Sequence, residues 1–460
     1  MEGDSLKQFF VEVSKGDLSL LNVILEQNGT LIARLQLVLQ KYDSDEDIEA
    51  LVEKQKLHGG SWTRFNILMT SFLKLCRDLN PWSLWESSDL IYTYYQDLTN
   101  CLLNDSFPVD NLVTLFQTTT EYIVPLSRQL DANYLALGTR QHQFLAHVSS
   151  IITKLFNSIK PRFEEPAVSF ESLPRKQQIL LYTANKLNNI YMRIDSSSSC
   201  ANIFKNVKPK SAIQHFSQFP LREQVEYRYL LGRYYLLNHR VSNAFHQLNS
   251  AFGMLITTYR SKECPPAVQR NLQRILKYLL PAGILFGKMP SIQFCAQLSQ
   301  NLASSYQQLA TAVKTGNFAS FHNWLNENEA VLRRQNLLIL LLEKVPLLIY
   351  RNLVRRVVID FCFPQTLNKI SYEILEHALA MSLGNPPLSK PIYTAINVPE
   401  DIPNVLETLV NLTLLKANCF PLSKQCVFPK TQNINDIFPE VNRRLVALYP
   451  LNAEDAWLDD

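Results

Sequence analysis

Apolar residues recur every three to four positions through most of the first 330 residues, the spacing of one buried helix face. From Phe65, the positions Leu68, Met69, Phe72, Leu73 and Leu75 form one stripe. It ends at Asn80-Pro81, because a proline pushes the residue before it out of the helical region. Leu90, Ile91, Tyr94, Tyr95, Leu98 and Leu102 form the next, closing near Pro108, and Leu112, Leu115, Phe116, Tyr122 and Ile123 follow. Stripes of roughly 12–20 residues with short polar breaks predict stacked antiparallel helix pairs. The stretch from Lys160 to Pro174, with its prolines and paired acids, reads as a long loop, and Asp195 with Ser196 to Ser199 as a turn.

One stretch is more specific. Between Glu226 and Phe252, Leu231-Gly232, Tyr235, Ala244, Leu248 and Ala251 take the spacing of the packing positions of a tetratricopeptide (TPR) repeat. Small residues at Gly232, Ala244 and Ala251 let two helices approach closely, and Tyr235 and Leu248 fill the groove between them. Arg228 stands where the repeat usually has Trp, so the match is partial.

After Leu367 the pattern changes. Ile370, Ile374, Leu375, Ala378 and Leu379 predict one short helix, and Ile402, Val405, Leu406, Leu409 and Val410 a second. Two short apolar runs, Ala417 to Phe420 and Gln425 to Phe428, flank Pro421-Leu422-Ser423-Lys424 and read as a β-hairpin. Short helices followed by a hairpin are the layout of a winged helix. A last amphipathic helix through Ile434, Ile437, Phe438, Val441, Leu445 and Leu448 leads to an acidic tail, Glu454 to Asp460, expected to fray. The fold class is therefore mainly α: a TPR-like helical-repeat solenoid continuing into a C-terminal winged helix. The expected divisions are 1–165 for N-terminal repeats, 166–365 for the TPR-like part, 366–430 for the winged helix and 431–460 for the closing helix and tail.

Composition narrows the function classes. Twelve glycines in 460 residues argue against Gly-rich phosphate loops and barrels of tight turns. Neither a G-x-S-x-G nor a G-x-x-x-x-G-K-[ST], H-E-x-x-H or G-x-G-x-x-G motif is present, so no catalytic residue, cofactor or metal is assigned. His142 and His147 are five apart and off a shared helical face, and the run Asp43, Asp45, Glu46, Asp47, Glu49 reads as a solvated helix start. Cys419 and Cys426 flank the hairpin turn without a second ligand pair. The eight scattered cysteines and a charged N-terminus without a signal-peptide core point to a soluble chain in a reducing compartment. Charge is unevenly spread on a net of +4. Residues 1–149 carry 11 basic and 19 acidic side chains, whereas residues 150–290 carry 20 and 7. A basic middle is a footprint for an anionic partner, either nucleic acid or an acidic polypeptide.

Several stretches in chain order also resemble one family: Asn80 to Trp85 (NPWSLW), Leu155 to Pro161 (LFNSIKP), Lys186 to Ile194 (KLNNIYMRI), Cys200 to Ser211 (CANIFKNVKPKS), Tyr227 to Phe245, Tyr278 to Pro290 (YLLPAGILFGKMP) and Ala417 to Pro421 (ANCFP). They resemble the PCI-domain subunit of the second transcription-export (TREX) messenger-export complex, fungal type. The signalosome-associated PCI homologue is similar through the central and C-terminal parts. The resemblance implies a non-enzymatic nuclear scaffold at the nuclear pore. It would pair through its winged helix with a large PCI-containing scaffold subunit, and a small acidic Sem-type subunit would clamp its repeats. The two winged helices would form a basic platform for RNA or DNA backbone, without sequence preference and away from any membrane. On that basis Lys205, Lys208, Lys210, Arg228 and Arg233 are candidates for the acidic subunit. Arg351, Arg355, Arg356, Lys369, Lys390, Lys416, Lys424 and Lys430 are candidates for nucleic acid. The alternative is a signalosome-like PCI scaffold whose basic surfaces serve acidic proteins only.

Overall fold

A computed structural model describes residues 2–136, 141–161, 169–260, 265–384 and 402–460. The chain divides into two compact units, 1–223 with 457–460, and 224–456. The expected boundary at 165/166 lies outside the described residues, as does part of the expected loop between Lys160 and Pro174.

In the first unit, successive helices pack on one another, including Thr63–Asp78, Ser88–Leu102, Asp110–Ala136, Gln143–Ser158, Leu180–Arg193 and Ser197–Lys210. The apolar stripes are the buried faces: Phe65, Leu68, Met69, Phe72, Tyr94, Tyr95, Leu98 and Phe116 are all sealed from solvent. Two of the unit's buried tyrosines find partners for their hydroxyls, as burial favours. Tyr94 donates to the Leu21 carbonyl at 2.6 Å, and Tyr95 shares a hydrogen bond with Thr120 at 2.8 Å. The acidic run around Asp45 is a helix start: Ser44 and Asp47 form a reciprocal capping box on Asp45–Lys54. The chain terminus does not fray. Trp457 is 4% exposed and packs edge-on against Phe216 of the same unit, at 5.0 Å between ring centres.

The second unit opens, at Gln224, within the first helix of the TPR-like hairpin, Leu221–Leu237 and Val241–Tyr259. A Cβ on Gly232 would meet Leu248 Cγ at 2.6 Å and Cδ2 at 2.9 Å, so the absence of a side chain there is what lets the helices close. The Gln300–Thr315, Phe318–Arg334 and Leu338–Val357 helices continue the stack. The last runs through Pro346 and ends in a π turn, Val358–Cys362. Gly316, at φ +71°, lies so close to it that a Cβ would sit 2.7 Å from the Leu353 backbone.

The winged helix follows. Strand β1 (Lys369–Ser371) leads into helix Tyr372–Leu383, then helix Ile402–Asn411, strand β2 (Asn418–Phe420) and strand β3 (Gln425–Val427). The antiparallel sheet has the order β1-β3-β2, with Ile370 opposite Cys426 and Cys426 opposite Cys419. Two expectations change in detail. Ile370 belongs to β1 and not to the helix, because its backbone is drawn into the sheet beside β3. The closing helix is two pieces, Ile434–Ile437 and Val441–Leu448, interrupted at Phe438-Pro439, since proline supplies no amide hydrogen to continue the ladder. Beyond it, Asn452 Nδ2 donates to the Tyr235 hydroxyl at 3.0 Å, and that hydroxyl donates to Asp455 Oδ2 at 2.5 Å. The acidic tail is thereby fastened to the TPR-like hairpin.

Candidate nucleic-acid interface

The wing sets most of the candidate cations by register. Lys369 lies opposite Val427, which lies opposite Asn418, so one end of the sheet gathers Lys369, Lys416 just ahead of β2 and Lys430 just beyond β3. Lys424 occupies the other end, in the turn, where its amide closes on the Pro421 carbonyl at 3.2 Å with φ at +50°. Lys369, Lys416, Lys424 and Lys430 are all exposed, and none is paired with a carboxylate among the described residues. A hollow of about 430 Å³ adjoins the sheet, lined by Lys416 and Arg444 with Val410, Asn418, Phe428 and Pro429. Arg444 comes from Val441–Leu448 and is half-buried without an ion-pair partner among the described residues. Sequence reasoning missed it because it sits in a segment with an acidic balance. Nothing short of the packing of that helix beside β2 could have singled it out.

Arg351 is placed differently from the expectation. It is 8% exposed, and its Nη2 donates to the carbonyls of Phe438 at 3.3 Å and Pro439 at 2.8 Å while the guanidinium lies over the Phe438 ring. Burial, with Arg355 nearby, pulls its pKa down to about 10, which still leaves it charged at neutral pH. It is a strut between the Leu338–Val357 helix and the C-terminal segment. One turn on, Arg355 is half-buried, and Arg356 is exposed beside Asp360 at 3.4 Å. Lys390 lies outside the described residues.

The five candidates for an acidic partner divide in the same way. Lys205 and Lys208 are exposed on Ser197–Lys210 in the first unit. Lys210 instead donates to the carbonyls of Asn157 at 3.1 Å and Ile159 at 3.2 Å, closing the end of the Gln143–Ser158 helix. Desolvation, with Lys160 close by, holds its pKa below the ordinary lysine value. In the second unit Arg228 is buried and donates to Gln247 Oε1 at 2.9 Å across the TPR-like hairpin. Arg233 is half-buried between the rings of Tyr229 and Tyr278, 5.6 and 4.9 Å from their centres. Among the described residues no cluster of three metal-ligating side chains occurs, and no helix is long and apolar enough to cross a membrane.

No family model matches the chain. It is 44% identical to "Nuclear mRNA export protein THP1" of Saccharomyces cerevisiae over 99% of its own length and 100% of that protein. It is 29% identical to "PCI domain-containing protein 2 homolog" of Drosophila melanogaster over 50% of this chain and 54% of that one. It is 31% identical to "Protein CSN12 homolog" of Schizosaccharomyces pombe over 38% and 39% of the two chains.

Proposed function

The chain belongs to the family of the nuclear mRNA export protein THP1, a PCI-domain family, and on that premise we propose that it is a non-enzymatic scaffold subunit of a nuclear messenger-export complex. In this reading its winged helix pairs with that of a larger PCI scaffold subunit. The paired wings present a basic platform for RNA or DNA backbone, and the assembly couples transcription to export at nuclear pores. A small acidic Sem-type subunit lies on the repeats, with Lys205 and Lys208 as its exposed cationic contacts.

The observation that carries the nucleic-acid part is the wing itself. Lys369, Lys416, Lys424 and Lys430 are exposed in and around a three-stranded sheet with no carboxylate paired to them among the described residues, and Arg444 adds to the hollow beside Lys416. Arg355 and Arg356 lie on the helix that leads into the sheet. Point cations on a short sheet contact phosphates and read no base edge, so binding should be sequence-tolerant and fall with salt.

The test is fluorescence anisotropy of single-stranded RNA at two salt concentrations, with the chain alone and with its co-purified partners. Lys416→Glu, Lys424→Glu and Arg444→Glu combined should abolish RNA binding by the assembled complex while leaving it assembled. Unchanged RNA affinity would sink the assignment of these residues. A second reading, a scaffold that contacts only protein, draws support from the apolar wing tip, where Phe420 and Leu422 are exposed next to Lys424. Absence of RNA binding in both states, with the complex intact, would favour that reading.

A further inference from the structure

We infer that Cys419 and Cys426 form a redox modification site, a cross-strand dithiol in the wing that closes to a disulfide. The inference rests on the register of the hairpin. Cys419 on β2 lies directly opposite Cys426 on β3. Directly opposed residues in an antiparallel ladder come in two kinds, and only one brings side chains close.

The neighbouring bonds settle which kind this is. The Phe428 amide donates to the Asn368 carbonyl at 2.7 Å, and the Tyr372 amide donates to the Lys424 carbonyl at 2.9 Å. The backbone groups of residues 424 and 428 therefore face β1, and with the two-residue period of a strand so do those of Cys426, opposite Ile370. What Cys426 turns toward β2 is thus a pairing without backbone hydrogen bonds. Such pairs have Cα atoms about 4.5 Å apart, inside the ~4.4–6.8 Å range that a disulfide spans. Ile370 blocks no such closure, because it stands on the other side of β3.

The chemistry of the pair suits one attacking and one resolving thiol. Cys419 is partly exposed, and Cys426 is buried behind it. The neighbouring Cys426 thiol and Tyr372 hydroxyl hold the Cys419 thiol below its ordinary pKa, against burial and the Glu407 carboxylate. The Cys426 thiol is pushed up by the adjacent Cys419 and by burial, so it keeps its proton until Cys419 has reacted.

With a low-molecular-weight disulfide as oxidant, the Cys419 thiolate attacks one of its sulfurs, forming a mixed disulfide and releasing one thiolate. Cys426 then loses its proton to solvent and attacks the Cys419 sulfur, forming the Cys419–Cys426 bond and releasing the second thiolate. Two protein thiols are oxidised and one small disulfide is reduced to two thiols. The other described cysteines, Cys76, Cys101, Cys200, Cys295 and Cys362, are buried. Cys362 is close enough to Cys426 to raise its pKa, which makes it the rival partner.

Lys424 lies between the two cysteines, so trypsin separates them into peptides 417–424 and 425–430, while Cys362 falls in 357–369. The full-length protein is equilibrated in glutathione buffers from reduced to oxidised, alkylated, digested and analysed by mass spectrometry. The expected result is a cross-linked pair 417–424/425–430 that appears with oxidation, disappears with dithiothreitol and is missing from Cys419→Ser. A link from 425–430 to 357–369, a Cys419 that stops at the glutathione adduct, or two thiols still alkylated in oxidised buffer would each overturn the site. The wild-type digest decides among these even if Cys419→Ser does not fold.

Discussion

At the scale of single residues, the TPR-like positions were readable because their requirement is steric and local. Gly232 faces Leu248, which is fully buried with no room to withdraw. Gly232→Ala should therefore lower unfolding stability by about 1–3 kcal/mol, as overpacking of a closed interface does, measured by urea denaturation. The two arginines Arg228 and Arg351 were not readable as buried. Sequence gives their charge, but a long side chain with an apolar stem follows hydrogen-bond acceptors wherever the fold supplies them, here Gln247 and the Phe438 and Pro439 carbonyls. Histidine adds a residue-scale prediction about pH. Desolvation holds His322 below its ordinary pKa of 6.5, so the unfolded chain binds its proton first. The stability this contributes is complete above pH 6.5 and is lost as pH falls from there through the lower folded-state pKa, with a slope of at most about 1.4 kcal/mol per pH unit. Thermal denaturation between pH 7 and 5 should show the decline, and His322→Asn should make it shallower.

At the scale of elements, helices were legible because each carries several turns of its own period, and the wing hairpin because two short apolar runs flank the turn at Pro421 to Lys424. Strand β1 was not. It is as short as β2 and β3 but no turn joins it to its neighbour in sequence, and Ile370 with Ile374 imitates a helical pair, so only pairing with β3 assigns it to the sheet. The acidic tail misled for the opposite reason: its charge suggested fraying, whereas Asn452 and Asp455 meet Tyr235, and Trp457 is buried. The segment from Phe438 to Asn452 hangs between two such fastenings, of which Arg351 is one. Arg351→Met keeps the apolar stem but leaves the two carbonyls without their donor, at a cost of about 1–3 kcal/mol. Hydrogen exchange should register this as faster exchange across Val441–Leu448, with the TPR-like hairpin unchanged. Equal loss of protection throughout residues 224–456 would show that Arg351 supports the whole unit and not one element.

At the scale of the molecule, the fold class was legible from periodicity alone, but the candidate site was legible only in outline. The largest basic excess in the sequence, residues 150–290, includes Lys210, Arg228 and Arg233, which the fold uses for capping, bridging and stacking. The smaller excess in residues 333–430 supplies the lysines that reach solvent without an ion-pair partner among the described residues. A summed charge thus identifies the stretch of chain and not the surface. Salt dependence measures the surface directly, because each phosphate neutralised on a single strand contributes about 0.7 to the slope of log affinity against log salt. Five cations at the wing, Lys369, Lys416, Lys424, Lys430 and Arg444, set a ceiling of about 3.5 for their own share. Removing two of them, as in Lys416→Gln with Lys424→Gln, should lower the slope of the assembled complex by about 1.4, whatever the partner contributes. Affinity that falls while the slope stays constant would mean that the two lysines position the partner's wing and do not themselves touch phosphate.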